Sequence, residues 1–325
     1  MRQSDATRSG QLPLGVRISG TGSAAPLQSF TNEQLAENAP TSPEWVEKNL
    51  GIKKRHVVSG DEVLSDFTAQ AGAEAIKAAG LKNNDIDLII VATMTPERMA
   101  PSTACLTKHK LGISNHCPAF DMAAACSGFV YALTVGADLI KSGMSRRALI
   151  IGADVMSKMT DWSRRDCVFF GDGAGAVVLE GSDDELALFS GKIFSGTENT
   201  DHFTVYPDQA AFTMNTRAVF DTATEVLPLA IQAVLDRENI TLDRVKWLIP
   251  HQPSVRILRR VAEKIGMPFE QVKTNMDRYA NTSAGTIPIL LNEVNRRNEL
   301  TRGDIVVFAG VGSGWTWGAA VYRWH

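Results

Sequence analysis

The sequence lacks the features that mark membrane, secreted and zinc-binding proteins. No apolar run approaches the ~20 residues that a membrane-spanning helix needs, and residues 1–12 are polar where a signal peptide would be apolar. The four cysteines form no CxxC pair, and no histidine stands at zinc-ligand spacing from them. We therefore expect a cytoplasmic protein with free thiols, with no membrane partner and no bound metal.

An excess of charge of either sign is also missing. Lys and Arg number 33 and Asp and Glu number 36, so the net charge is −3. This balance gives no basic footprint for nucleic acid or for an anionic membrane surface. With 325 residues, the chain is long enough for two domains or for one double-sized unit with a large core.

Among the residues that are present, Cys126 has the clearest chemical potential. It stands in Met122-Ala-Ala-Ala-Cys-Ser-Gly128, where small neighbours leave room for a substrate, and the apolar residues after it predict a buried helix over 127–141. Backbone N–H groups and the positive dipole end at such a helix start are expected to lower the pKa of the thiol and favour thiolate. The alternative is a small buried hydrophobic residue, which is the usual role of a free cysteine.

Alternating helix and strand patterns predict an α/β fold. Predicted helices cover residues 65–79, 127–141, 222–237, 254–265 and 283–296, and predicted strands cover residues 88–92, 148–151, 247–249 and 305–308. The strand segments are apolar throughout rather than alternating. Such runs are typical of a mostly parallel sheet that is covered by helices on both faces.

Two internal similarities suggest that the chain is duplicated. Residues 81–96 repeat the pattern of residues 239–253, and residues 167–180 repeat that of residues 305–323. We interpret residues 167–180 and residues 305–323 as hairpins with a glycine turn, each at the end of one half. The similarity is one of pattern rather than identity, so chance repetition is an open alternative. The stretch 181–215 has little periodicity, and we place the boundary there: residues 1–180 carry Cys126, and residues 181–325 form the second half.

His251 and Asn281 are candidate partners for Cys126. His251 follows the predicted strand 247–249, and the carboxyl ends of parallel strands are where open α/β sheets place their chemistry. Asn281 precedes the predicted helix 283–296. Each has an ordinary structural alternative: His251 would be a hydrogen-bonded core histidine, and Asn281 would be a helix cap or a turn residue. Together with Cys126 they would supply a nucleophile, a proton-handling group and an amide donor.

Two glycine-rich segments have different interpretations. In Gly310-Val-Gly-Ser-Gly314, the glycines let backbone N–H groups approach a developing oxyanion. Phe170-Gly-Asp-Gly-Ala-Gly175 does not end in the GKS or GKT of a phosphate-binding loop, and strand-like residues follow it. We interpret this second segment as structural.

Several motifs in a fixed order resemble β-ketoacyl-acyl carrier protein synthase III. They are Ala-Ala-Ala-Cys126-Ser-Gly, Phe170-Gly-Asp-Gly-Ala-Gly175, Met214-Asn215 to Phe220, Pro250-His251-Gln252, Asn281-Thr-Ser-Ala284 and Gly314-Trp-Thr-Trp-Gly318. The resemblance runs from Ile18 to the C-terminus. It implies a thiolase fold, in which two similar βαβαβαββ halves form a five-layered α-β-α-β-α structure, and it implies a homodimer.

The resemblance also implies a reaction. Cys126 would accept an acyl group from acyl-CoA, after which His251 and Asn281 would donate hydrogen bonds to a malonyl thioester on acyl carrier protein. Loss of carbon dioxide would leave an enolate that attacks the acyl group, and the backbone N–H groups of Cys126 and Ser313 would hold the tetrahedral oxyanion. No cofactor is implied, because decarboxylation itself supplies the carbanion.

Residues at the predicted substrate entrance follow from the same resemblance. Trp45 and Arg164 would hold the CoA adenine between them, and Arg256 and Lys264 would dock acyl carrier protein. Each of these is, alternatively, an ordinary packed aromatic or solvated charge. Ala100 stands where a bulky residue often reaches into the acyl pocket of a partner subunit, so we hypothesise that primers longer than acetyl are accepted.

Departures from the family pattern keep other functions open. Asn49 replaces an arginine that follows the tryptophan, Pro253 and Ser254 replace Ala-Asn, and Ser313 replaces glycine. These changes favour, as an alternative, a specialised synthase III of secondary metabolism or an acyltransferase to another nucleophile. A non-catalytic subunit is disfavoured by the intact Cys126, His251 and Asn281. A cysteine hydrolase would use the same three residue types.

Overall fold

Two mixed β-sheets form the centre of the computed structural model, which describes residues 12–198, 200–206 and 211–325. The strands are β1 (Gly15–Ala24), β2 (Ser29–Thr31), β3 (Lys54–His56), β4 (Leu88–Ala92), β5 (Ala119–Met122), β6 (Arg147–Val155), β7 (Asp172–Ser182), β8 (Phe189–Ser195), β9 (Phe203–Thr204), β10 (Thr213–Met214), β11 (Val245–Pro250), β12 (Ile305–Gly312) and β13 (Thr316–Arg323). The α-helices are α1 (Asn32–Ala36), α2 (Pro43–Leu50), α3 (Leu64–Ala78), α4 (Thr103–Lys110), α5 (Gly128–Lys141), α6 (Thr216–Arg237), α7 (Val255–Ile265), α8 (Met276–Tyr279) and α9 (Thr286–Arg296). The described residues leave out residues 1–11, which are most of the polar segment that argues against a signal peptide. They also leave out residues 199 and 207–210 of the predicted connecting stretch.

The two sheets repeat one topology. The first has the order β1-β7-β6-β4-β5, and the second has the order β8-β13-β12-β11. In the first sheet β4 and β6 pair in parallel, and β7 returns antiparallel to β6. In the second sheet β11 and β12 pair in parallel, and β13 returns antiparallel to β12. A single parallel bridge from Leu248 to Val272 stands where the first sheet has β5. This repetition is the duplication that the two internal similarities in the sequence suggested. The division after residue 180 stays a prediction.

Helices and sheets alternate in five layers. Helices α3 and α4 cover the outer face of the first sheet, and α6 and α7 cover the outer face of the second. Helices α5 and α9 lie between the sheets, in an apolar core to which both sheets contribute, with Phe129, Leu291 and Phe308 among its buried side chains. Burial of the central strands on both faces explains their continuous apolar sequence.

The two middle helices begin in the same way. A 3₁₀ turn, Ala125–Ser127, leads into α5, and a second, Ser283–Gly285, leads into α9. The first residue of each turn has a positive φ, 46° at Ala125 and 52° at Ser283, which is uncommon for a residue with a side chain. The pseudo-symmetry therefore brings two sharp turns and two helix starts to the middle of the molecule.

One detail of the predicted hairpins is wrong. Strands β6 and β7 do pair antiparallel, but Gly173 and Gly175 lie within β7 rather than in a turn. A methyl group on Gly175 would lie 2.4 Å from the backbone nitrogen of Ile289. These glycines therefore allow α9 to pack closely against the first sheet.

Helix α6 bears on the expectation that no segment of the chain is apolar enough to span a membrane. In the described part of the chain it alone is long and apolar enough to cross a membrane by length and composition, with a mean hydropathy of 1.4 over its window. Its apolar face, including Leu227, Ile231 and Leu235, is buried in the core of the second sheet. Such a helix is weak evidence for a membrane span, because core helices of this kind pass the same test.

Candidate active site

A cavity of about 1170 Å³ opens between the two halves and brings the predicted residues together. Cys126, His251 and Asn281 all line it, and so do Ser283 and Ser313. The three predicted catalytic side chains come from three separate loops, at the start of α5, after β11 and before α9. Convergence of a thiol, an imidazole and an amide in one mostly apolar cavity is the arrangement that acyl transfer through a thioester requires.

The thiol of Cys126 lies at the bottom of this convergence, and its Sγ is 3.5 Å from the Ser283 hydroxyl oxygen, to which it donates. Burial raises the pKa of Cys126 to about 12, and this effect exceeds the lowering by the Ser283 hydrogen bond. The expectation of a lowered pKa for Cys126 is therefore wrong. The position at a helix start is as predicted, but desolvation of the charged form outweighs the local dipole.

His251 is buried and neutral. Its exposure is 2%, and burial lowers its pKa to about 3. Its backbone N–H donates to the carbonyl oxygen of Ala309 on β12 at 2.8 Å, so the end of β11 holds the loop in place. The imidazole Nδ1 is 2.8 Å from the Thr286 hydroxyl oxygen, which leaves Nε2 available for a substrate. A neutral imidazole can donate or accept one hydrogen bond at that atom.

Asn281 is held so that its amide nitrogen is available to the cavity. Its side-chain oxygen accepts the backbone N–H of Ser283 at 2.8 Å. Its backbone is clamped by Phe169 and Gly171, with hydrogen bonds of 3.1 Å and 3.0 Å. Since the side-chain oxygen is already paired, the amide group faces its next partner as a donor. This bond to the N–H two residues later is that of a turn asparagine, so the turn alternative describes the side-chain oxygen. A cap of α9 does not describe it, because α9 begins five residues later at Thr286.

Of the predicted glycine-rich turn, Gly310 and Gly312 lie within β12, and the end of that strand lies directly against Cys126. A methyl group on Gly312 would be 2.7 Å from the backbone nitrogen of Cys126, so a side chain there would displace the nucleophile loop. Ser313 follows in the cavity wall, and its hydroxyl donates to the carbonyl oxygen of Phe203 at 2.6 Å. The end of β12 therefore lies beside the Cys126 backbone, and the oxyanion hole formed by the backbone N–H groups of Cys126 and Ser313 stays a prediction.

Trp45 and two arginines lie toward the mouth of the cavity. Trp45 is on α2, whose cap residue Ser42 accepts the Trp45 backbone N–H at 3.2 Å. The guanidinium over the Trp45 ring belongs to Arg165, at 4.3 Å from the ring centroid. Arg164 lines the same cavity but donates to Asp166 at 2.5 Å and to the carbonyl oxygen of Phe212 at 3.0 Å. The sequence identified Arg164 and missed Arg165.

Of the remaining predicted contact residues, Arg256 lines the cavity, whereas Lys264 and Ala100 do not. Arg256 lines the cavity and donates to the side-chain oxygen of Asn49 at 3.3 Å. Lys264 lies outside the cavity lining and donates to the carbonyl oxygen of Thr224 at 2.9 Å. Ala100 is exposed and does not line this cavity either. Its predicted role concerns a partner subunit.

Three residues near the thiol escaped the sequence analysis. Ser283 contacts Cys126, Thr286 contacts His251, and Asp154, the next-to-last residue of β6, accepts the backbone N–H of Ala284 in the second turn. One signal was available for Asp154, because a carboxylate at the carboxyl end of a buried strand is a typical site residue. For metals, the described residues hold no group of three or more His, Cys, Asp or Glu placed to bind an ion.

The fold and the site define the class, a thiolase-fold acyltransferase. Residues 120–195 match the family described as 3-oxoacyl-[acyl-carrier-protein] synthase III, and residues 235–324 match its C-terminal part. The chain is 41% identical to the β-ketoacyl-[acyl-carrier-protein] synthase III of Thermosynechococcus vestitus, with 96% of this chain and 99% of the relative covered. For the relative of that name from Neisseria meningitidis the identity is 40%, with 95% and 99% covered. The chain therefore belongs to the β-ketoacyl-[acyl-carrier-protein] synthase III family.

Solved structures agree with this assignment. The 3-oxoacyl-[acyl-carrier-protein] synthase III of Aquifex aeolicus superposes with a TM-score of 0.92 at 38% identity, covering 95% of this chain and 100% of that one. The priming β-ketosynthase of the R1128 polyketide pathway superposes with a TM-score of 0.91 at 27% identity, covering 98% and 99%. The thiolase fold, the condensing-enzyme type and the acyltransferase class predicted from the resemblance are confirmed.

Proposed function

We propose that this enzyme starts fatty acid synthesis by loading an acyl group from acyl-CoA onto Cys126 and condensing it with malonyl-acyl carrier protein. The observation that carries the proposal is the convergence of Cys126, His251 and Asn281 in one cavity whose mouth bears Trp45. The curated relatives support it through their name, which specifies acyl carrier protein. Acyl carrier protein and acyl-CoA are accordingly the proposed partners, and the cytoplasm is the proposed compartment.

The first half-reaction forms an enzyme thioester. Cys126 Sγ attacks the carbonyl carbon of acyl-CoA, and the CoA thiol leaves. The oxyanion that forms in between is stabilised by the backbone N–H groups of Cys126 and Ser313, and one such donor is worth about 3 kcal/mol in other enzymes. A covalent intermediate of this kind predicts ping-pong kinetics.

The second half-reaction generates the carbon nucleophile. His251 Nε2 and the amide nitrogen of Asn281 donate hydrogen bonds to the thioester carbonyl of the malonyl group. Both donors lie in a buried site, where they stabilise developing enolate charge more than they would in water. As carbon dioxide departs, the enolate carbon bonds to the acyl carbon and the bond from that carbon to Cys126 Sγ breaks. The cysteine thiolate that is released takes up a proton. The scheme needs no metal or redox cofactor.

Intact-protein mass spectrometry with a panel of acyl-CoA thioesters tests the proposal. The wild-type protein should gain the mass of the acyl group, and Cys126→Ala should not. Asn281→Asp keeps the oxygen that accepts from Ser283 but replaces the donor with a carboxylate. We expect it to load acyl groups yet lose malonyl decarboxylation by about 10²-fold, the effect of removing one donor. His251→Ala should behave in the same way, and full condensation by either variant would contradict the roles assigned.

The acyl pocket and the dimer belong to the same proposal. Met99 is 99% exposed and Ala100 is exposed beside it, close in sequence to Met94, which lines the cavity. We propose that this segment meets a second copy of the chain, where the small Ala100 leaves room for primers longer than acetyl. Light scattering would measure the dimer, and loading of acetyl-CoA without medium-chain acyl-CoA would contradict the primer assignment.

A second candidate is a specialised synthase III of secondary metabolism. Asn49 supports it, because its amide nitrogen donates to the Trp45 carbonyl oxygen at 2.8 Å and so builds the mouth of the cavity differently from an arginine. The likeness to a polyketide priming β-ketosynthase supports it as well. Condensation assays with unusual primers would separate it from the first candidate.

A further inference from the structure

Two backbone segments meet where β12 ends. One is the turn Ala125–Ser127, which contains Cys126, and the other is the loop that follows Gly312. A methyl group on Gly312 would be 2.7 Å from the Cys126 backbone nitrogen and 3.0 Å from the carbonyl oxygen of Ala124. The two segments therefore lie in direct contact, and a small shift of one against the other changes the spacing between their backbone N–H groups.

Ser127 is fully buried and stands at the N-cap of α5. A serine at this position normally accepts a hydrogen bond from a backbone N–H of the first helical turn. Within the described residues, however, the Ser127 side chain caps no N–H of α5. Its hydroxyl oxygen is instead 2.7 Å from the carbonyl oxygen of Ala124 and 2.9 Å from the hydroxyl oxygen of Thr316. The hydroxyl therefore contacts the nucleophile turn and β13 rather than the helix.

Thr316, the first residue of β13, contacts both segments. Its hydroxyl oxygen is 3.1 Å from the carbonyl oxygen of Ala124 and 3.2 Å from the carbonyl oxygen of Ser313. Each hydroxyl carries one proton, so Ser127 and Thr316 each donate to one acceptor at a time. A bond from Ser127 to Thr316, or from Thr316 to Ala124, joins the two segments.

We propose that Ser127 and Thr316 are positioning residues that hold the backbone N–H groups of Cys126 and Ser313 at the spacing which a tetrahedral oxyanion needs. The inference rests on the proposed function. Both side chains lie outside the cavity lining, so they act through the backbone and not on the substrate. Donors that are fixed in advance stabilise an oxyanion without reorganising during the reaction.

The hydroxyl pair restrains both sides of the oxyanion hole. Ser127 follows Cys126 in the chain and Ala124 comes two residues before it, so bonds at these positions fix the Cys126 backbone from either side. On the other side, Thr316 contacts the carbonyl oxygen of Ser313. Such restraint matters because a displacement of about 1 Å costs other enzymes about 10²-fold in rate.

Acyl loading and malonyl decarboxylation, measured in the same variants, test the proposal. The oxyanion hole serves the tetrahedral intermediates, whereas decarboxylation is assigned to His251 and Asn281. Thr316→Val keeps the shape of the side chain and removes its hydroxyl. We expect the rate constant for loading at saturating acyl-CoA to fall about tenfold, on the scale of one hydrogen bond, with the half-saturating concentration unchanged. Carbon dioxide release from malonyl-acyl carrier protein without a primer should stay within about twofold of wild type.

A double-mutant cycle tests whether the two hydroxyls act as a pair. Ser127→Ala alone leaves the bond from Thr316 to Ala124, so loading should slow by about threefold only. Added to Thr316→Val, the same change should have no further effect, because no hydroxyl is left for Ser127 to contact on β13. Effects that multiply in the double variant would overturn the pairing.

Two further variants separate positioning from folding. Thr134→Val is the matched control, because Thr134 is a buried residue of α5 whose hydroxyl donates to the carbonyl oxygen of Val130 at 2.8 Å. It should lower the melting temperature as Thr316→Val does and leave loading unchanged. Thr316→Ser keeps the hydroxyl and should retain loading. Equal losses of loading and decarboxylation in Thr316→Val would show a general structural role and overturn the proposal.

The wild-type protein separates this inference from the proposed function. Rapid-quench mass spectrometry of the intact protein gives the loading rates. A wild type that gains no acyl group would refute the proposed function and this inference with it. A wild type that loads normally, together with Thr316→Val that loads at the same rate, would refute the inference alone.

Discussion

His251 Nδ1 and Thr286 Oγ1 are 2.8 Å apart, and the same hydroxyl oxygen lies 2.9 Å from the carbonyl oxygen of Ser283. A hydroxyl has one proton to donate, so its direction sets the tautomer of His251. When it points to Nδ1, the imidazole proton is on Nε2, where donation to a malonyl carbonyl requires it. When it points to Ser283, Nε2 becomes an acceptor.

Thr286→Val tests this relationship. The variant removes the hydroxyl that contacts Nδ1 and with it the control of the His251 tautomer, and we expect malonyl decarboxylation to fall about tenfold, the value of one net hydrogen bond. Acyl loading should be unchanged, because Cys126 is not involved. Carbon dioxide release measures the first and intact mass the second. Unchanged carbon dioxide release would show that the tautomer is set by another contact.

The stability of the protein should fall in weak acid because of His251. Burial lowers the pKa of His251 from 6.5 to about 3, so between these values the unfolded chain binds a proton that the folded chain does not. Stability from this group is therefore complete above pH 6.5 and is lost as the pH falls, by at most about 1.4 kcal/mol per pH unit.

Urea denaturation at several pH values measures this loss. With decreasing pH, the free energy of unfolding should fall less steeply in His251→Gln than in the wild type. The two slopes should differ by at most about 1.4 kcal/mol per pH unit. His56, whose pKa is also lowered chiefly by burial, is present in both proteins and cancels in the comparison. Equal slopes in the two proteins would contradict the assignment.

Arg165 should matter more than Arg164 for acyl-CoA. Arg165 already stacks on Trp45, whereas Arg164 is held by Asp166 and the Phe212 carbonyl oxygen. Arg165→Ala should raise the KM for acyl-CoA about threefold, which is the scale of an exposed cation–π contact. Arg164→Ala should change KM less. A larger KM effect in Arg164→Ala would return the adenine contact to the residue that the sequence predicted.

Ala280 is strained immediately before Asn281. Its φ of 57° and ψ of −151° lie in a region that is nearly exclusive to glycine. Ala280→Gly relieves that strain but adds freedom to the unfolded chain, so we expect a net stabilisation of about 1 kcal/mol. Thermal denaturation measures it. A lower melting temperature would show that the strain is already relaxed.

Residues that are buried from both sides were predictable from the sequence. The predicted strand 88–92 coincides with β4, since a strand covered on both faces needs an unbroken apolar run. Strand β8 is half polar and was missed. Helix α6 begins at Thr216, before the predicted start at residue 222, because Asn215 caps it with an acceptor 3.1 Å from the Ala218 backbone N–H.

For the active site, the sequence predicted which residues come together but not the pKa of the thiol or which arginine stacks on Trp45. Cys126, His251 and Asn281 stand next to recognisable strand and helix boundaries, so their convergence followed from topology. The pKa of Cys126 depends on how deeply the two halves bury it, which no local pattern specifies. The stacking of Arg165 on Trp45 joins two distant loops, and either of two adjacent arginines fits the sequence.

The middle layer has a consequence for biosynthesis. Because α5 is covered by α9, the portion that leaves the ribosome first presents Phe129 and Leu133 to water until the last third of the chain arrives. Nascent chains that have not yet reached the last third bind chaperones and are prone to aggregation. A gene cut between the sheets should therefore yield two insoluble fragments that regain activity only when they are made together.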